Sequence, residues 1–216
     1  MRIRRRDLRR LISEMFLLNE EKLPCHSETE VDAAIKRAVF LLDMEDTGLD
    51  LFLKEIAVKE SGRNTRGLSY SNKGFSVDCF LKKQVGGGPA LGPWQVEPET
   101  FEFLKKNWKL ASIRKTVFER AGKGLQNPLS EQDVSMFINS LSMQALTAAL
   151  KMIDKMNPRS LEQRYDKVND NQAVMFTVPG AREDRAALWK TYYNTSSGAG
   201  TEQEYIDVND ANGTSI

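Results

Sequence analysis

The sequence predicts a mainly α domain, a helical bundle around one central buried helix, and three stretches carry that prediction. Ser27-Glu28-Thr29-Glu30 has the Ser-x-x-Glu spacing of a capping box, and Val31, Ile35, Ala38, Val39 and Leu42 follow it as an apolar stripe. Leu49, Phe52, Leu53 and Ile56 recur at three- and four-residue steps. Met143, Leu146, Leu150 and Ile153 repeat the pattern in the second half, where methionine at helical spacing reads as core filler. The 216 residues are 40% hydrophobic and 28% charged, enough apolar material for one core. A formal net charge of +1 argues against a dedicated nucleic-acid binder. No run of about eighteen apolar residues exists, so no transmembrane segment is expected.

Residues 1–26 form a segment of their own. Arg2, Arg4, Arg5, Arg6, Arg9 and Arg10 precede Leu11, Ile12, Met15, Phe16, Leu17 and Leu18. Glu14 breaks the apolar run and no small-residue cleavage site follows, so a basic amphipathic helix is expected rather than a secretory signal. The segment is either a frayed terminus or a contact for an anionic surface or a partner protein. Cys25 and Cys79 lack CxxC spacing and make no zinc site, and whether they pair is open. His26, the single histidine, reads as a surface residue beside a turn at Pro24, which leaves triad-type catalysis almost without support.

The capped helix from Ser27 breaks at Asp46-Thr47-Gly48, where Thr47 is the candidate cap of the next helix. A long polar segment with Gly62, Gly67, Gly74 and Gly86-Gly87-Gly88 follows, with a small hairpin or extra helix expected over 75–85. Pro98 suits a first helical turn, with Phe101, Leu104 and Trp108 on one face, and another helix is expected over 110–121. Asn157-Pro158 ends the methionine-bearing helix, and Ala173 to Val178 is a strand or a covering loop. The last strong helix spans 182–193, a short one covers 201–207, and 208–216 is expected to be a flexible tail.

Four residues past Ile56 the stripe of the second helix reaches Glu60, in its last turn. Burial and the negative end of the helix dipole both disfavour a charged carboxylate there. A raised pKa is what a general acid near neutral pH requires. The plain alternative is an idle Glu at a helix end.

Glu60-Ser61 is followed by Gly92-Pro93-Trp94-Gln95 with Pro98-Glu99-Thr100, and then by Tyr193-Asn194. In that order the three motifs resemble the lysozyme-like fold of lytic transglycosylases and goose-type lysozymes. There a Glu-Ser pair ends a buried helix, a Gly-x-x-Gln element lies beyond it, and a Tyr-Asn pair closes the cleft. The resemblance runs from residue 45 to residue 205 and implies an α+β lysozyme-like catalytic domain over 27–207. It also implies that the loop between Glu60 and Gln95 holds an insertion beside the cleft. Thr195-Ser196-Ser197 intervenes before Gly198, where the family often has Gly soon after Tyr-Asn, so the loop after Asn194 departs from the pattern.

By this resemblance the substrate is the glycan strand of peptidoglycan, with no cofactor and no metal. Glu60 protonates the leaving oxygen of the MurNAc-GlcNAc β-1,4 bond. The N-acetyl group stabilises the cationic intermediate, the sugar's own C6 hydroxyl attacks, and Glu60 takes that proton as base. Gln95 and Asn194 hydrogen-bond acetamido groups or hold Glu60, and Tyr193 brings its hydroxyl to Glu60 or the sugar. Trp94 is either a flat surface for a sugar ring or packing under its loop. Ser61 belongs to the same motif, where its hydroxyl can also satisfy helix-end backbone. Asp78 is a candidate second carboxylate that would orient water in a hydrolytic muramidase of this fold. A non-catalytic wall-binding or virion structural module is the third reading. Without a secretory signal, such an enzyme would be a bacteriophage lysis or virion protein, held in the host cytoplasm before release to the periplasm or carried in the particle. Segment 1–26 would then dock onto particle proteins. A periplasmic protein with a different start codon fits as well.

Overall fold

The computed structural model describes residues 25–63, 79–84, 88–101, 137–156, 178–194 and 200–214. Those residues are mainly helical, with one small antiparallel sheet. Segment 1–24, the expected helix over 110–121, most of the run from Ala173 to Val178, and Asp78 lie outside them.

Helix α1 (Glu28–Leu42) starts at the capping box. The Ser27 hydroxyl accepts from the Glu30 N–H, and the Glu30 carboxylate accepts from the Ser27 N–H at 2.7 Å. Its C-terminus closes on Asp43, whose left-handed φ of 59° lets the Met44 N–H reach the Val39 carbonyl at 3.1 Å. The break then hands the chain to α2 (Leu49–Ser61). Gly48, at φ 73°, is its N-cap, a backbone state that costs glycine little. Thr47 still serves this end from one residue earlier, accepting from the Leu49 N–H at 3.4 Å and donating to the Met44 carbonyl at 2.7 Å.

Helix α2 is the centre of the molecule. Leu49, Phe52, Leu53 and Ile56 are fully buried as the stripe predicts, and Glu55, Ala57 and Val58 bury other sides of the same helix. A helix covered on most sides needs several neighbours. It packs against α1, against α3 (Leu141–Met156), and against α5 (Glu202–Ala211). Met143, Leu146, Leu150 and Ile153 all point into this core, where each large apolar side chain contributes about 1.5–3 kcal/mol. Phe101 stacks on Phe137 at 4.6 Å, which brings the helical turn after Pro98 onto the approach to α3.

Three short strands lie beside the end of α2: β1 (Cys25–His26), β2 (Gly62–Arg63) and β3 (Cys79–Leu81). Their order is β1-β3-β2, all antiparallel, with His26 and Gly62 both opposite Phe80. The described part of 75–85, expected as a small hairpin or an extra helix, thus holds the middle strand of a sheet completed from two distant segments. Cys25 and Cys79 form a disulfide, with their Cα atoms 5.3 Å apart. His26 is accordingly a half-buried strand residue rather than a surface turn residue, and burial lowers its pKa. Cys25 and His26 are thus paired into the sheet beside α2.

Helix α4 (Arg182–Leu188) runs into one π-helical turn, Trp189–Tyr193, where a continuous α-helix was expected. Before it, the Val178 N–H donates to the Thr47 carbonyl at 2.8 Å, tying this end of the chain to the start of α2. Helix α5 opens with a second capping box, Thr201 with Glu204. It continues to Ala211, and Val208, Asn209 and Thr214 are buried. The expected tail from 208 is thus part of the packed domain through 214. The sequence hid this because only Tyr205, Ile206 and Val208 mark its apolar side. Among the described residues no helix is long and apolar enough to cross a membrane.

Candidate active site

Glu60 lies in the last turn of α2, partly exposed. Its Oε1 accepts a hydrogen bond from the indole Nε1 of Trp189 at 2.9 Å. Burial raises its pKa above the ordinary glutamate value, and the Trp189 hydrogen bond and the charges of Lys151 and Lys59 offset part of that rise. The arrangement gives a carboxyl group that keeps its proton to higher pH than usual while one side still meets solvent.

The π-helical turn positions the indole. The Asn194 N–H donates to the Trp189 carbonyl at 2.8 Å, five residues back, which widens the helix by about one residue per turn. Trp189 and Tyr193, four residues apart, both turn inward as a result. Trp189 packs against the ring of Tyr205 at 5.3 Å, and the Lys59 ammonium lies 5.4 Å over the indole while pairing with Glu204 at 3.2 Å. No sequence signature marked this turn, and the expected site residues did not include Trp189.

Tyr193 is buried at 4% exposure, and its hydroxyl donates to the Trp94 carbonyl. Burial holds that hydroxyl's pKa well above its ordinary value, with the charge of Glu60 pushing the same way. The hydroxyl expected to approach Glu60 or a sugar is therefore committed to backbone, and Tyr193 acts on the site through its position. The ammonium of Lys151, on α3, sits 4.5 Å above the Tyr193 ring.

The Gly-x-x-Gln element is a tight turn. Leu91 and Val96 exchange backbone hydrogen bonds at 2.9 and 3.0 Å across Gly92-Pro93-Trp94-Gln95. Gly92 at φ 68° and Gln95 at φ 48° both take left-handed backbone. The Gln95 side chain closes the turn by donating to the Gly92 carbonyl at 2.8 Å, so its amide nitrogen holds the loop rather than Glu60. Trp94 is fully buried, and its indole donates to the Leu53 carbonyl at 2.9 Å. Of the two readings of Trp94, a sugar surface or packing under its loop, the structure shows the packing: no face of this ring meets solvent. Ser61 is also buried, its hydroxyl donating to the Ala57 carbonyl at 3.4 Å, so it satisfies helix backbone instead of contacting substrate. Asn194 closes the π-helical turn through its backbone.

Glu60, Trp189, Tyr193 and Trp94 are thus linked through two hydrogen bonds and one helical turn, with Gln95 adjacent to Trp94 in the chain. A second carboxylate on α2, Glu55, went unnoticed in the sequence. It is fully buried, with Arg185 donating to both its oxygens at 2.7 Å, Arg182 at 3.0 Å, and the Tyr205 hydroxyl at 2.8 Å. Four donors leave it no part in proton transfer. The available signal was a Glu inside an apolar helix together with Arg182 and Arg185 spaced three apart.

Among the described residues no group of three or more His, Cys, Asp and Glu side chains could hold a metal ion. Compared with protein-family models, with curated proteins and with solved structures, the chain matches none.

Proposed function

We propose that the chain is a peptidoglycan-cleaving lytic transglycosylase with Glu60 as its single general acid and base. One observation carries this reading: a partly buried carboxyl at the end of the central helix, held by an indole N–H and with its pKa raised by burial. Such a group donates a proton to a poorly basic ether oxygen at a pH where an ordinary carboxylate has none to give.

The steps follow from that proton. Glu60 protonates the glycosidic oxygen and the C1–O bond breaks. The neighbouring N-acetyl oxygen shares the positive charge developing at C1. The anionic Glu60, stabilised by the Trp189 N–H and the nearby lysines, then accepts the proton of the C6 hydroxyl as that oxygen closes on C1. One carboxylate serves both halves, in agreement with Glu55 being sealed in its arginine cluster. The lysozyme-like family assignment belongs to this proposal; it is supported by the three motifs and by the bonds from Trp189 to Glu60 and from Tyr193 to Trp94.

Digestion of purified peptidoglycan followed by mass spectrometry of the fragments tests the reading. Anhydro-muramic ends are expected. Reducing ends would show hydrolysis by water instead, and binding without any fragment would show a non-catalytic wall module.

A further inference from the structure

Among the described residues, Lys151 is the cation beside Glu60 that has no carboxylate paired with it. It rises from α3, partly buried, and its ammonium lies 4.5 Å above the ring of Tyr193. Among the described residues that ammonium makes no ion pair and no hydrogen bond, whereas Lys59 on the other side pairs with Glu204. An ammonium has three donors, and an aromatic face satisfies none of them as a carboxylate would. Burial lowers the pKa of Lys151, which records that cost, with the charge of Lys155 acting the same way and those of Glu60 and Glu97 opposing.

The requirement sharpens in the reactive state. When Glu60 carries the proton it is about to donate, it no longer supplies a negative charge to Lys151. Glu97, exposed just after the Gly-x-x-Gln turn, acts on Lys151 through its charge and forms no ion pair or hydrogen bond with it. Among the described residues no carboxylate then stands within hydrogen-bond reach of the ammonium, which leaves it open to a carboxylate brought by a bound molecule in place of water.

We propose that Lys151 reads a carboxylate of the substrate, so that the site selects acidic glycan strands over neutral ones. The inference rests on the glycan-cleaving reading above and names the specificity of that site. In peptidoglycan such a carboxylate is either the free lactyl acid of a strand without stem peptides or an acid group of the stem peptide itself. Both offer the same charge-assisted hydrogen bond to an ammonium.

The test uses the full-length protein and two substrates: native glycan strands, and the same strands with their carboxylates converted to methylamides. On native strands kcat/KM is expected to fall about tenfold in Lys151→Met, through KM, and to recover in Lys151→Arg. Amidation is expected to lower the parent by a similar factor and to leave Lys151→Met unchanged. A Lys151→Met protein as sensitive to amidation as the parent overturns the proposal. If the Met variant does not fold by its thermal melt, Lys151→Gln takes its place in the same comparison.

Strands stripped of stem peptides separate the two sources, and dependence on Lys151 with either kind of strand sustains the proposal. Binding of both substrates to Glu60→Gln, with and without Lys151→Met, separates this inference from the reading beneath it. Amidation-sensitive binding through Lys151 with no cleavage by the parent would refute the enzyme and keep the carboxylate site. Cleavage and binding that ignore amidation would refute the carboxylate site alone.

Discussion

Glu60 holds a proton donor at the expense of stability. Its pKa is raised in the folded chain, so folding favours its neutral form. The penalty is absent below the ordinary glutamate value of 4.5 and grows as pH rises from there to the folded pKa, where the unfolded chain releases its proton first. Glu60→Gln keeps the shape and removes the charge. It is expected to lose at least about a hundredfold in turnover. It should also melt higher than the parent at neutral pH, with the gap closing as pH falls towards 4.5. Thermal melts across pH check the second half independently of any substrate; a lower melting point at neutral pH would contradict a penalty at this position. Trp189 acts in the opposite sense, because its N–H stabilises the anion. Trp189→Phe therefore raises the Glu60 pKa further, and the alkaline limb of the pH–rate profile is expected to move up. The limb's position does not depend on how much protein is folded, so lost packing cannot imitate the shift.

At the scale of elements, the Gly92–Gln95 turn shows why its motif has a glycine. Gly92 takes φ 68°, and a Cβ there would run into the carboxamide of Gln144, whose nitrogen is anchored to the Ile138 carbonyl at 3.0 Å. Gly92→Ala meets the left-handed backbone, and it makes Gln144 give up its bond to the Ile138 carbonyl to clear the new methyl. A loss of about 1–3 kcal/mol is expected in urea unfolding. The loss should appear in the midpoint with an unchanged slope. This turn was legible as a motif, and α1, α2 and α3 were legible as stripes, because caps and periodicity are written within one stretch of chain. The small sheet was not: β3 gains its meaning only from partners at Cys25–His26 and Gly62–Arg63. The π-helical turn was equally silent, since Trp-Lys-Thr-Tyr-Tyr suits an α-helix as well. Glu60, the turn and Tyr193 were each singled out in the sequence, and the structure ties Tyr193 to the turn through the Trp94 carbonyl. The sequence left Trp94 open between a sugar surface and packing, of which the structure shows packing, and it missed Trp189, the residue that touches the carboxyl.

At the scale of the whole molecule, the site joins two distant parts of the chain, and Glu55 is where they are tied. Helix α2 supplies Glu60, while the C-terminal segment supplies Trp189 and Tyr193. One turn and a little more before Glu60, Glu55 receives Arg182 and Arg185 from α4 and the hydroxyl of Tyr205 from α5. Arg182 also bonds Asp210 and the Thr214 carbonyl, which draws the end of the chain into the same cluster. Glu55 has no exposed surface and Arg185 is itself 4% exposed, so each group depends on the other and on its hydrogen bonds to offset its lost hydration. Glu55→Ala strips the counter-charge from a buried guanidinium and is expected to cost about 3–5 kcal/mol. Glu55→Leu combined with Arg185→Leu removes both charges and should recover much of that loss, leaving Arg182 its bond to Asp210. The two variants separate stability from alignment. If the cluster only stabilised the fold, the double variant would regain activity in step with its unfolding midpoint. Because the cluster also sets where Trp189 stands relative to Glu60, its melting temperature is expected to return towards the parent's while its turnover stays lower.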